Sequence, residues 1–337
     1  MRRSRLTPLV LLLFAFFAAW TFWKPISLIP STPSHLGQLP PCPKFEIAED
    51  ILLVLKTGAT EALQRLPVHF QTTLRCVPHY VIFSDYEENI EGHHLHDVLL
   101  DVDPELRNKN PDFELYRHLR DQGRSDLGTF DTTPKGDGSG GSGNPDNPGW
   151  KLDKWKFLPM IDRALQHRPH AKWYVFIEAD SYLIWSNLLE YLSQIDASKP
   201  HYIGKHMYIG DVLFAYGGAG YAISNPAMQM VSKHRAAHTR AYDEYTVTQW
   251  AGDCVLGKTL RDVGVSLFVS FPHIQGEQPS TLDHVSSKLD RTLWCFPSIS
   301  YHHMLAVELR AFWKFEMDWY SKVRIEILSI LNQALII

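Results

Sequence analysis

Two carboxylates, Glu178 and Asp180, stand two residues apart just past the apolar run Trp173–Ile177. Such a pair can hold a hard divalent cation and let it bridge a diphosphate. Acidic pairs also cap helices, and Ser181 and Asn187 offer a loop and helix that would use one. Asp253 opens a helical pattern that runs on to Val263. A helix N-terminus stabilises the ionised carboxylate, so Asp253 either caps that helix or, at a cleft edge, takes a proton from a hydroxyl. His302 and His303 follow Ser300-Tyr301, and imidazole joins carboxylates in manganese and zinc sites. His93, His94, His96 and Asp97 form a denser run, HHLHD. Without HExxH or finger-spaced cysteines, that run reads as a solvated loop rather than a zinc site. There is no GxSxG elbow and no GxGxxG after a strand.

Short continuous apolar runs must position these groups. Ile51–Leu55, Tyr80–Phe83 and Trp173–Ile177 each read as a strand buried on both faces. Helical patterns over 59–70 (cut by Pro67) and 154–166 fall between them. The expected fold class is therefore α/β, with β-α-β units around a largely parallel sheet. The acidic pair then sits at the C-terminal edge of a strand, where open α/β sheets bind ligands. Gly217-Gly218-Ala219-Gly220 precedes a further apolar run, Tyr221–Ser224, and Asn225-Pro226 reads as an N-cap and first helical residue. Residues 121–149 hold the string GDGSGGSGNPDNPG, a flexible loop with no Walker-type lysine after it.

The chain has 337 residues, 33 basic against 37 acidic, and 10 Trp among its aromatics. The net charge of -4 offers no field for a polyanion, so nucleic-acid binding is not expected. Arg2, Arg3 and Arg5 precede a run from Leu9 to Trp23 in which only Thr21 is polar. Extended to Ile29, that run is long enough to span a bilayer, which needs about 20 residues. The flanking charge gives a type II anchor: residues 1–6 cytosolic, 7–29 in the membrane, the remainder in the lumen of the Golgi or the endoplasmic reticulum. Residues 30–48 are Pro-rich and read as a stem, 49–320 as the luminal domain, and 321–337 as a tail whose status stays open. Four cysteines in an oxidising lumen allow three pairings. Cys42–Cys76 with Cys254–Cys295 is the expectation from proximity along the chain, against buried free thiols.

The strings ILLVLKTGATEALQRLPVHFQTT, VIFSDYEENI, LDKWKFLPMI, KWYVFIEADSYLIWSNL, YGGAGYAIS, GDCVLG and SYHHM occur in this order. Together, over Ile51 to Glu316, the chain resembles the fringe and core 1 β1,3-galactosyltransferase family of inverting glycosyltransferases, the fungal members most closely. The resemblance implies a GT-A fold, a UDP-sugar donor, Mn2+ or another divalent cation, and a glycan or glycoprotein acceptor. A homodimer is one option for its assembly. It also implies roles for residues. Asp180 and His302 would bind the metal, with His303 as a fallback. Glu178 replaces the first Asp of the family's Asp-x-Asp and would contact the ribose or a metal-bound water. Asp253 would be the catalytic base, with Gly252 where the family carries an acid. Lys56, Thr57, Arg65 and Asp85 would face the nucleotide, Gly218, Ala219 and Gly220 the donor sugar, and Lys154 or Lys156 the phosphates. The expected reaction is transfer of a hexose, galactose first, in a β1,3 linkage. The alternatives are a non-catalytic luminal relative that binds sugars or acts as a chaperone, motivated by Glu178 and Gly252, and a metal hydrolase built on the histidines.

Overall fold

The computed structural model describes residues 42, 44–125, 127, 147–282, 287–288 and 291–334. The expected cytosolic tail (1–6), membrane anchor (7–29), most of the stem and most of the Gly-rich string lie outside the described residues. Among those described, no helix is long and apolar enough to cross a membrane.

Strands β1 (Ile51–Lys56), β2 (Tyr80–Ser84) and β5 (Trp173–Glu178) are the three apolar runs read from the sequence. They lie side by side and parallel, β1 in the middle. β3 (Glu88–Ile90) and β4 (His93–Asp97) extend the sheet beyond β2. The HHLHD run is thus a strand and not a loop, because Leu95 alternates inward into the core while His94 and His96 take the other face. On the far side β5 pairs with β10 (Tyr221–Ser224), β10 with β7 (Tyr202–Gly204) and β7 with β11 (Leu267–Val269). The eight-stranded order β11-β7-β10-β5-β1-β2-β4-β3 is mixed, with parallel pairs in the majority. β6 (Tyr182–Leu183), the β8–β9 hairpin (His206–Ile209, Val212–Ala215), the β12–β13 pair (Ser287–Lys288, Arg291–Thr292) and β14 (Ser300–Tyr301) stand outside it.

Alternation along β1 and β5 feeds two helical layers. Leu52, Val54, Tyr174 and Phe176 face one core, shared with Ile161 of α5 (Phe157–His167), Met228 of α7 (Asn225–Thr248) and Leu256 of α8 (Gly252–Asp262). Leu53, Leu55, Val175 and Ile177 face the other, with Leu66 of α1 (Ala62–Gln71) and Leu189 of α6 (Trp185–Ser193). Each such side chain contributes about 1.5–3 kcal/mol when fully buried. A smaller cluster joins α2 (Pro104–Lys109), α3 (Glu114–Gln122) and α4 (Pro148–Asp153). The C-terminal helix, α9, runs Ala306–Ala334, through most of the tail left open by the sequence.

Several local expectations need correction. α1 continues through Pro67, which removes only one internal hydrogen bond while Leu66 and Val68 stay buried around it. The helix expected over 154–166 starts at Phe157, after α4 and a turn. Ser224, not Asn225, is the N-cap of α7, and the Asn225 amide instead donates to the carbonyls of Pro169 and Ala171. The last part of the stem is folded: Phe45 and Ile47 pack on the core, and Cys42 is bonded to Cys76. The second expected disulfide does not form. Cys254 is enclosed by Val212 and Phe214, whereas Cys295 lies exposed on a separate turn.

Native protein should therefore titrate one thiol with a disulfide-exchange reagent, and unfolding in guanidinium chloride should raise the count to two. A count of zero after unfolding would mean that Cys254 and Cys295 pair after all.

Candidate active site

The parallel strands end level with one another: Lys56 of β1 lies beside Phe83 of β2 and Glu178 of β5. The residues just beyond, Thr57, Asp85 and Asp180, therefore share one edge of the sheet. β10 runs antiparallel to β5, so the Gly217–Gly220 turn before it arrives at the same edge. Gly220 has φ +80°, and a Cβ there would come 3.2 Å from the Phe176 carbonyl oxygen, which leaves glycine as the residue that fits. The late histidines come from β14, which pairs Tyr301 with Tyr182 of β6, while the Met304 N–H donates to the Asp180 carbonyl at 2.8 Å. This two-sided backbone clamp brings His302 and His303 to Asp180.

A cleft of about 290 Å³ opens over this edge. Asp180, His302 and His303 offer three ligand atoms that lie within 4.8 Å of one another. His302 Nε2 is 3.2 Å from Asp180 Oδ1, and His303 Nδ1 is 3.9 Å from Oδ2. The Tyr216 hydroxyl is hydrogen bonded to His302 Nδ1 at 3.0 Å, which fixes the ring and turns Nε2 to the carboxylate. Burial alone would raise the Asp180 pKa, but His302, Arg65 and His303 more than offset it and hold the carboxyl well below the usual range. Burial lowers the His302 pKa, and the Asp180 charge outweighs it, so the net shift is upward. His303 is pushed down by burial and by His302. Its backbone adopts φ +58°, strain that the surrounding clamp sustains.

Asp253 lies in the first turn of α8 and accepts hydrogen bonds from the backbone N–H groups of Gly217 and Cys254, each at 2.9 Å. A position at a helix N-terminus favours ionisation by ~0.3–1 kcal/mol. Burial, with the charge of Glu178 behind it, wins instead and raises the pKa to about 6. Glu178 faces Lys56 at 3.1 Å, and Lys56 also binds Asp153 at 2.5 Å. The Lys56 ammonium lies over the Phe157 ring, 4.3 Å from its centroid. Its burial lowers its pKa, but the two carboxylates prevail and keep it charged.

The remaining expected residues are arranged less directly. Arg65 reaches Asp180 at 3.4 Å and Glu61 at 3.1 Å. Lys156 is buried, bonded to Asp85 at 2.8 Å and to the Thr57 carbonyl at 2.7 Å. Asp85 in turn accepts from the Ala59 N–H, so it is a buried brace behind the cleft wall and does not line it. Lys154 lines the cleft but is held by Asp112 and the Gln249 carbonyl. The Gly218 position is closed by the His302 ring, 2.0 Å from where a Cβ would stand. The Ala219 carbonyl accepts from Ser300, tying the turn to β14. Sequence reasoning missed Asp153, Tyr216, Trp150 and Trp250, which also line the cleft. Each stands beside or within a string singled out above, so adjacency was the signal available. The Trp150 and Trp250 rings stack with centroids 5.9 Å apart.

The family model described as Fringe-like matches residues 157–320. The chain carries a Fringe-like domain. The match begins at α5 and ends in α9, so it takes in Glu178, Asp180, the glycine turn, Asp253 and both histidines. The resemblance read from the sequence starts earlier, at Ile51, so β1 and β2 lie outside the matched residues. Among solved structures, a glycosyltransferase involved in the glycosylation of the major capsid of PBCV-1 matches at 12% identity. That match covers 81% of this chain and 100% of the other, with a TM-score of 0.35. Comparison with curated proteins gave no match.

Gly218→Ala tests the packing of the turn on the metal-type cluster. The added methyl must displace the His302 ring, so Mn2+ affinity measured by calorimetry should drop at least tenfold while the far-ultraviolet circular dichroism spectrum is retained. Unaltered Mn2+ affinity would mean that His302 is not a ligand.

Proposed function

We propose that this chain is an inverting, UDP-sugar-dependent hexosyltransferase of GT-A type. It passes a hexose, with galactose the first candidate, to a hydroxyl of a glycan or glycoprotein acceptor in a β1,3 linkage, on the luminal side of the Golgi or endoplasmic reticulum membrane. The observation that carries this reading is one cleft, inside a Fringe-like domain, that holds both a buried carboxylate with a pKa of about 6 and an Asp-His-His cluster.

Charge supports a cation in that cleft. Among the described residues, Glu61, Asp153, Glu178, Asp180 and Asp253 line it against only Lys154 and Lys156, and both lysines already have partners. A diphosphate would meet net negative charge and no free ammonium from these two. One carboxylate and two imidazoles fit Mn2+. Asp180, His302 and His303 would hold it, with Tyr216 bonded to the outer nitrogen of His302. When bound, the cation would offset the charge that develops on the departing diphosphate.

The other half of the reaction belongs to Asp253. The acceptor oxygen forms a bond to the anomeric carbon as the bond to the diphosphate breaks, and the hydroxyl proton passes to the Asp253 carboxylate. A base with a pKa near 6 is ionised at neutral pH yet more basic than an exposed aspartate. Gly217 and Cys254 hold its two oxygens in place from the backbone. Gly252 does not argue for an inactive relative. A Cβ there would lie 2.3 Å from the Phe157 ring and 2.6 Å from the Lys154 Cα, so packing of α8 on α5 excludes any acid at that position.

Turnover measured against a panel of UDP-sugars with Mn2+ tests the reading, and one donor should be consumed and its hexose transferred with inverted configuration. Asp253→Asn should lower kcat by about 10²–10⁴ with donor affinity kept, as loss of a general base does. Asp180→Asn should abolish the Mn2+-dependent rate while the chain stays folded. In the wild type kcat/KM should decline as pH falls through about 6, because protonation disables the base. Donor binding with no turnover on any acceptor would favour the non-catalytic alternative.

A further inference from the structure

At the opposite side of the sheet from β11, the β3–β4 hairpin carries a second cluster of metal-ligating side chains, unconnected with the cleft. His94 and His96 are two apart on β4 and so share one face, with Leu95 buried on the other. Antiparallel pairing sets Glu88 opposite Leu95, which brings the preceding residue, Glu87, level with His96. The three side chains offer ligand atoms within 4.8 Å of one another.

We propose that Glu87, His94 and His96 form a binding site for a borderline divalent cation of the zinc type. Two imidazoles and a carboxylate are a common zinc donor set. Zinc bonds of ~2.0–2.2 Å in a tetrahedron put ligand atoms about 3.3 Å apart, so modest side-chain rotation closes this set.

The surroundings orient the donors as second-sphere groups do. Asn89 Oδ1 faces His94 Nδ1 at 3.2 Å, leaving Nε2 turned to Glu87 Oε1 at 2.5 Å. The other Glu87 oxygen accepts from the Asp97 N–H at 2.6 Å. His96 packs edge-on against His94, with ring centroids 4.4 Å apart. His167, the last residue of α5, has its ring centroid 6.2 Å from that of His96, near enough to make it a candidate fourth ligand in place of water. An ion there would fasten the turn before β3 to β4, at the sheet's exposed edge. Edge strands are where a sheet is most open to fraying or to pairing with another chain. The site is therefore a structural clip, independent of turnover.

The test uses the full chain, stripped of metal, titrated with Zn2+ in competition with a chromophoric chelator and followed in parallel by thermal unfolding. Asp180→Asn removes the contribution of the cleft. In that background one equivalent of Zn2+ should still bind and raise Tm by several degrees. His94→Ala with His96→Ala should weaken this equivalent at least 100-fold and remove the rise in Tm. Glu87→Gln keeps a side chain of the same shape and should weaken it at least tenfold, which guards against a merely misfolded double variant. Equal Zn2+ uptake and an equal Tm shift in these variants would overturn the proposal. So would loss of all zinc binding in Asp180→Asn alone, which would assign every bound ion to the cleft.

Discussion

Five carboxylates line one cleft, and their mutual repulsion in a low-dielectric pocket is the constraint around which the surrounding structure is arranged. Lys56 answers two of the five. Held at the end of β1, it lies between Asp153 and Glu178 and rests on the Phe157 ring. Two carboxylates on one side and an aromatic face on the other keep the ammonium charged despite its burial. Asp180 is served separately, by Arg65 and the two histidines. Asp253 has neither a lysine nor an arginine within ion-pair distance among the described residues. Burial raises two of the lining carboxylates, Glu61 to about 7 and Asp253 to about 6, but Glu61 is paired with Arg65, which leaves Asp253 as the one of the two without an ion pair.

The same constraint explains why small residues surround the acids. Phe157 touches Lys56 and also fills the space against which Gly217 and Gly252 must pack. Side chains at those glycines would push α8 and the glycine turn off α5 and carry Asp253 away from the Gly217 N–H. The turn must also accept the His302 ring over Gly218. An acid at position 252 would collide with the Lys154 backbone before it reached any ligand.

Much of this architecture was legible in the chain. Apolar runs at 51–55, 80–83 and 173–177 announce buried parallel strands, because continuous burial on both faces has few other uses. Once those strands are side by side, Lys56, Asp85 and Asp180 must emerge at one edge. What could not be read were the contacts that join distant segments. Whether His302 reaches Asp180 depends on a two-residue pairing, β14 with β6, too short to leave a periodic signal. The HHLHD run reads as a loop because its polar residues hide an alternation carried by Leu95 alone. A Cys254–Cys295 pairing fails because proximity along the chain says nothing about which side of α8 faces β9. Lysines 154 and 156 look like phosphate ligands in sequence, yet burial commits each to an internal acid.

Burial and charge together therefore divide the labour among residues of similar chemistry. Asp180 and Asp253 are both aspartates lining the same cleft. Cationic neighbours make the first a permanent anion suited to a ligand. Burial, with Glu178 nearby and no ion pair of its own, makes the second the more basic. Lys56 adjusts the difference, since it lowers the Asp253 pKa while it neutralises Glu178, whose charge raises it. Loss of that one ammonium would leave Glu178 and Asp153 with only longer contacts, to His302 at 3.9 Å and Lys156 at 3.8 Å, and push Asp253 further toward its protonated form. The acid–base character of the site thus rests on a buried lysine that need not touch the reacting atoms.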